Sequence, residues 1–234
     1  MAQQPLSSLM PTKKQDDLHG NVPDTADTCL LVIDMMNDFA FPGADAMGRA
    51  AVKTARRIAA LKASAKQTGI PVIYVNDNFG KWQYDFKKLI AHCLHEDCRG
   101  RAIVEILRPD EEDYFVLKPK HSGFFSTPLD LLLKFLHARR VILTEIAANS
   151  CILATAYDAY MREFDLVVPA NCVVSLDQKD TRAALGQMQK MLKADIRPSS
   201  KVSAELIDSM ERRKHLDGAN RKRINGLNEK LKKD

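Results

Sequence analysis

Apolar and polar positions follow two alternating periods along this chain. "TCLLVIDM" (28–35), "IPVIYVN" (70–76), "DYFVLK" (113–118), "RVILTE" (140–145) and "DLVVPA" (165–170) are short apolar runs bounded by turn chemistry, the pattern of strands buried on both faces. Between them, apolar residues recur at helical spacing in 47–69, which Gly69 stops, and in 81–94, 152–163 and 179–194. A further helix is predicted over 127–139, with Thr127 as N-cap and Pro128 at its first helical position. "DIRPSSKV" (195–202) is expected to add a short edge strand.

Such strands alternating with helices imply a parallel sheet between two helix layers, a doubly wound three-layer α-β-α fold of the α/β class. Its ligand site is expected outside the carboxyl ends of the strands. The residues there are Asp34, Asn76–Phe79, Lys118–His121, Ala147–Cys151 and Asn171.

Composition narrows the class. A chain of 234 residues, 45% hydrophobic, has an ordinary globular make-up. No apolar run approaches the ~20 residues of a membrane span, and the first residues lack a basic-then-apolar signal pattern. Five cysteines at irregular spacing do not make a disulfide framework, so a cytoplasmic setting is expected. The net charge of +5 is uneven: residues 201–234 hold ten Lys/Arg against six Asp/Glu, leaving the body nearly neutral. That excludes the basic stripe of a nucleic-acid surface. The expected division is a polar arm (1–27), a domain (28–200) and a basic amphipathic tail (201–234) with Leu206, Met210, Ile224, Leu227 and Leu231 at helical spacing. The tail suits packing on the body or on a second subunit, so a homo-oligomer is expected, with no nucleic-acid or membrane partner.

The edge residues include a carboxylate, an ammonium and a thiol from three different strands. Cys151 stands where a strand passes into a helix, and a helix N-terminus and a nearby lysine both favour a thiolate. Asp34 could accept the thiol proton and return it to a leaving amine; backbone N–H groups before Cys151 could hold an oxyanion. Taken singly, Asp34 and Lys118 read better as ordinary strand ends, and Cys151 equally well as inert core. Their shared edge is what points to chemistry.

"LLVIDMMNDF", "VLKPKHSGFFSTPLDLLL" and "ILTEIAANSCILATAYDAYM" also resemble three successive motifs of the isochorismatase-like cysteine hydrolases, the superfamily of nicotinamidases and N-carbamoylsarcosine amidases. The resemblance runs from about Thr28 to about Pro198. It implies a six-stranded parallel sheet and places the catalytic aspartate, lysine and nucleophile on Asp34, Lys118 and Cys151. It also implies a non-proline cis peptide at Ile146–Ala147, with the N–H groups of Ala147 and Cys151 as oxyanion donors. Two departures stand out. Glu145 occupies a position that is usually glycine. And "YVNDNFGKWQYDF" has no histidine, where nicotinamidases carry an Asp/His/His metal site.

"HCLHEDC" offers His92, Cys93, His95 and Cys98. Structural zinc sites usually draw ligand pairs from two segments and no second pair exists, so a partly buried helix end is the better reading and no metal is expected. Phe39, Phe79 and Trp82 follow strand ends and are either pocket walls or core aromatics. The expectation is a cysteine hydrolase that cleaves a C–N bond in a small amide or carbamoyl substrate without an organic cofactor. The alternatives are isochorismate hydrolysis, a vinyl ether cleavage needing no thiol, and a catalytically silent scaffold that Glu145 would suit.

Overall fold

The computed structural model describes residues 25–80 and 85–231, with side chains to residue 216. In chain order the elements are β1 (Thr28–Ile33), α1 (Ala44–Gln67), β2 (Val72–Asp77), α2 (Phe86–Cys93), α3 (Arg101–Ile106), β3 (Tyr114–Lys118), α4 (Leu129–Phe135), β4 (Arg140–Ile146), α5 (Cys151–Met161), β5 (Asp165–Val167), β6 (Val173–Val174), α6 (Gln178–Leu192) and α7 (Ser199–Leu231). The strands form one six-stranded parallel sheet in the order β3-β2-β1-β4-β5, with β6 also paired to β4.

Strand periodicity sorts the core into two layers. Leu30, Val32, Val72, Tyr74 and Ile142 face α1, α2, α3 and α7; Cys29, Leu31, Ile33, Ile73, Val75 and Leu143 face α4, α5 and α6. α1 runs its buried stripe Ala51, Ala55, Ile58, Leu61, Ala65 along the first face. Asp85 caps α2 by accepting from the Lys88 N–H at 2.8 Å. The predicted start shifts by one residue: α4 begins at Leu129 with Pro128 in the N-cap position and ends at Phe135, and the Thr127 hydroxyl, just before that cap, accepts from the Leu129 N–H.

Two expectations need correction. The run 165–170 does not continue as one strand. β5 ends at Val167, Pro169 interrupts the ladder because it has no N–H to donate, and pairing with β4 resumes at β6, where Val173 and Val174 lie beside Glu145 and Ile146. The edge strand expected over 195–202 shrinks to one bridge, Val167 to Asp195. Pro198 then turns the chain into α7, accepting from the Lys201 N–H. The first turns of α7 belong to the core: Val202 and Leu206 are buried with the α1 layer, and Arg140 reaches from β4 to Glu205 at 2.6 Å. Among the described residues no helix is long and apolar enough to cross a membrane.

From central β1 the chain departs to β2 on one side and β4 on the other. This reversal opens a crevice at the carboxyl ends of β1 and β4.

Candidate active site

Asp34 follows β1 directly, in a left-handed turn (φ 49°) that aspartate tolerates better than most residues. Its backbone N–H is held by the Val75 carbonyl, and its Oδ1 accepts from the Asp77 N–H at 2.8 Å. Lys118 ends β3, two strands away, and has no exposed surface. Its Nζ reaches past the end of β2 to Asp34 Oδ2 at 2.8 Å and Cys151 Sγ at 3.4 Å, with the Lys120 carbonyl at 3.3 Å and Asp77 Oδ2 at 3.7 Å completing its surroundings. Cys151 is the first residue of α5 and only half-buried, so its thiol meets both the ammonium and the open side of the crevice. The peptide bond Ile146–Ala147 is cis. The Cys151 N–H belongs to the first turn of α5, where N–H groups lack helical partners.

The opposite wall is Glu145. It is paired in register with Ile33 and has no exposed surface, so its carboxyl points inward. Neither oxygen makes a well-formed hydrogen bond; the Ala147 N–H and the Cys151 thiol are its polar neighbours. Ligand atoms of Asp34, Glu145 and Cys151 all lie within 4.8 Å of one another.

Three acidic groups thus crowd one ammonium. Burial, and next the Asp34 charge, push the Glu145 carboxyl well above the ordinary carboxylate range, with Lys118 giving only partial relief. Burial also raises Asp34 despite attraction to Lys118. Burial, Asp34 and Glu145 together push the Cys151 thiol above the usual cysteine value, outweighing Lys118. Lys118 itself is held above its ordinary value: burial opposes the charge, but Asp34, Cys151 and Asp77 overcome it. Lys118 and the helix N-terminus are expected from the sequence to favour a thiolate; burial, Asp34 and Glu145 oppose them, and both the Cys151 thiol and the Glu145 carboxyl shift toward their protonated forms.

The structure brings Asp34, Lys118 and Cys151 together, and the Ala147 N–H lies beside the Glu145 carboxyl. Phe39 is buried in the core, 5.5 Å from the ring of Phe41, while Phe79 is exposed at the turn after β2. Trp82 lies outside the described residues. In the 92–98 group, His92 faces Asp38 at 3.3 Å and His95 faces Asp97 at 3.7 Å, both exposed. Among the described residues, the side chains of metal-ligand type that converge are Asp34, Glu145 and Cys151, not these.

Two neighbours had no role in the sequence reading. Asp77 anchors Asp34 through its N–H. His121 Nδ1 stands 3.6 Å from Cys151 Sγ and 3.1 Å from Ser150 Oγ. His121 and Asp77 fall within the strand-end stretches, which was their only signal; the turns that aim them are not encoded by any spacing.

A parallel three-layer sheet with a thiol, a carboxylate and an ammonium at its switch point defines a hydrolase-type site. The isochorismatase domain matches residues 28–197. The chain is 40% identical over 177 residues to the uncharacterized isochorismatase family protein YaaI of Bacillus subtilis, covering 76% of this chain and 97% of that protein. It is 29% identical to the ureidoacrylate amidohydrolase RutB of Methylobacterium radiotolerans, covering 71% and 74%. The solved structure of N-carbamoylsarcosine amidase from Thermoplasma acidophilum superposes with a TM-score of 0.56 at 26% identity, covering 74% and 97%. The chain belongs to the isochorismatase family of hydrolases.

Proposed function

We propose that the protein is a cysteine amidase that cleaves a C–N bond in a small amide or carbamoyl compound. The observation that carries this reading is Lys118 Nζ set between Asp34 Oδ2 (2.8 Å) and Cys151 Sγ (3.4 Å). As Sγ attacks the substrate carbonyl, its proton passes to Asp34, and the ammonium steadies the negative charge as it leaves the carboxylate and passes through sulfur to the carbonyl oxygen. The N–H groups of Cys151 and Ala147 receive the oxyanion. Asp34 returns the proton to the leaving nitrogen, ammonia or an amine departs, and a thioester remains on Cys151. Asp34 then deprotonates a water that hydrolyses the thioester, frees the acid, and returns that proton to the departing Cys151 sulfur. A resting thiol suits this scheme, because attack and proton transfer are concerted and need no preformed thiolate. Two relatives named for amide hydrolysis support the reaction class.

The test is a panel of small amides, ureido and carbamoyl compounds read by ammonia release. Turnover by the native chain, with Cys151→Ala and Asp34→Asn each at least about 10³-fold slower, is the expected result. Cleavage of a vinyl ether at an unchanged rate in Cys151→Ala would replace this reading with the isochorismatase one.

A further inference from the structure

The geometry points to a second use of the same crevice: a binding site for a thiophilic divalent cation, zinc by its donor set, that reversibly masks Cys151. Glu145 is the observation that demands it. Its carboxyl is fully buried, neither oxygen makes a well-formed hydrogen bond, and a carboxyl oxygen, an Asp34 oxygen and Cys151 Sγ lie within 4.8 Å of one another. An orphaned buried carboxyl costs the fold stability, and the amidase scheme gives this one nothing to do. Thiolate plus two carboxylates is a borderline-soft set that suits zinc better than magnesium or calcium. His121 Nδ1 stands 3.6 Å from the same sulfur but outside the converging set, so a bound water would complete the coordination. Lys118, 2.8 Å from Asp34 and 3.4 Å from Cys151, is the opposing charge. It does not forbid the ion: binding displaces the protons of Cys151 and Glu145 to solvent, and one ammonium and one divalent cation then balance three anionic ligands. The ion enters from the half-exposed side of Cys151, and sulfur coordinated to it cannot attack a carbonyl.

The site is separable from the amidase reading because its readouts need no substrate. Zn2+ added to the full chain should slow iodoacetamide alkylation of Cys151 at least about tenfold, mapped by peptide mass spectrometry, while the half-exposed Cys98 serves as the internal reference. A chelator should restore the rate. In Glu145→Gln, Zn2+ at half-protection should rise at least about tenfold, the scale expected for loss of a ligand or its support. Equal protection in wild type and Glu145→Gln, or equal slowing at Cys98, overturns the proposal. Co2+ on the wild-type chain gives a check free of any variant: a thiolate charge-transfer band with intense four-coordinate visible absorption supports the site, and a weak six-coordinate spectrum without that band refutes it.

Discussion

Lys118 and Glu145 carry most of the site's electrostatic balance, in opposite senses. Lys118 is the ammonium held directly against Asp34, and it is fully buried. From the sequence alone, a strand-end lysine contributes little to the fold; the structure reverses that. Removing one partner of a buried pair typically costs ~3–5 kcal/mol, so Lys118→Ala should both abolish activity and lower the melting temperature. Lys120→Ala should do neither, because the Lys120 side chain is exposed and only its carbonyl meets Lys118. Equal loss of activity in the two variants would contradict this separation. Glu145 predicts a pH dependence. Its folded pKa lies well above its ordinary value of 4.5; the folded state therefore binds the proton more tightly than the unfolded state does. Its contribution to stability is complete below pH 4.5 and is lost as pH rises toward and through the folded value. Glu145→Gln removes that loss. Its melting temperature should match wild type in acid and exceed it increasingly toward neutral pH, with Asp34, Lys118 and Cys151 common to both proteins. A difference that shrinks as pH rises would refute a buried neutral carboxyl.

At the scale of elements, what positions Asp34 is the turn after β1. Asn76 donates to the Met36 carbonyl at 2.8 Å, and Gly100, opening α3, sits so close that an added Cβ would meet the Asn37 carbonyl oxygen at 1.8 Å. Gly100→Ala should therefore push this turn, costing ~1–3 kcal/mol by denaturant titration and lowering activity more than its distance from the thiol suggests. Unchanged stability would show that the turn gives way freely. The sequence exposed the strands because continuous apolar runs have few other uses, and through the strand-end rule it exposed Asp34, Lys118 and Cys151. It could not expose α3, whose six residues are too few for a periodic signal. Nor could it show the split of β5 from β6, since Val168 and the valines beyond Pro169 are as apolar as any strand. The inward aim of Glu145 was hidden for a different reason: it follows from pairing beside Ile33, a tertiary register.

Over the whole molecule, the basic tail divides into a packed start and an exposed continuation. Val202 and Leu206 are buried, Glu205 binds both Arg140 and Arg197, and residues 211–216 are exposed. A charge count locates the tail but cannot tell these halves apart, because burial at Val202 depends on α1 lying beneath it. Truncation before Val202 should cost ~1.5–3 kcal/mol for each of the two side chains and weaken the bottom of β4. A chain ending at Glu211 keeps these contacts and should retain its melting temperature and its turnover. An inactive but folded chain ending at Glu211 would place part of the tail in the site.

The central claim is that sulfur forms a covalent bond to substrate. Alkylation order alone does not test it, because Cys98 is also partly exposed and burial, Asp34 and Glu145 hold the Cys151 thiol above the usual cysteine value. The direct measurement is acid quench during turnover of an amide substrate, followed by peptide mass spectrometry. The account predicts an acyl mass increment on the peptide bearing Cys151, absent in Cys151→Ala and accumulating when Asp34→Asn slows thioester hydrolysis. Steady turnover in Cys151→Ala, with no increment on any cysteine of the native chain, would contradict it.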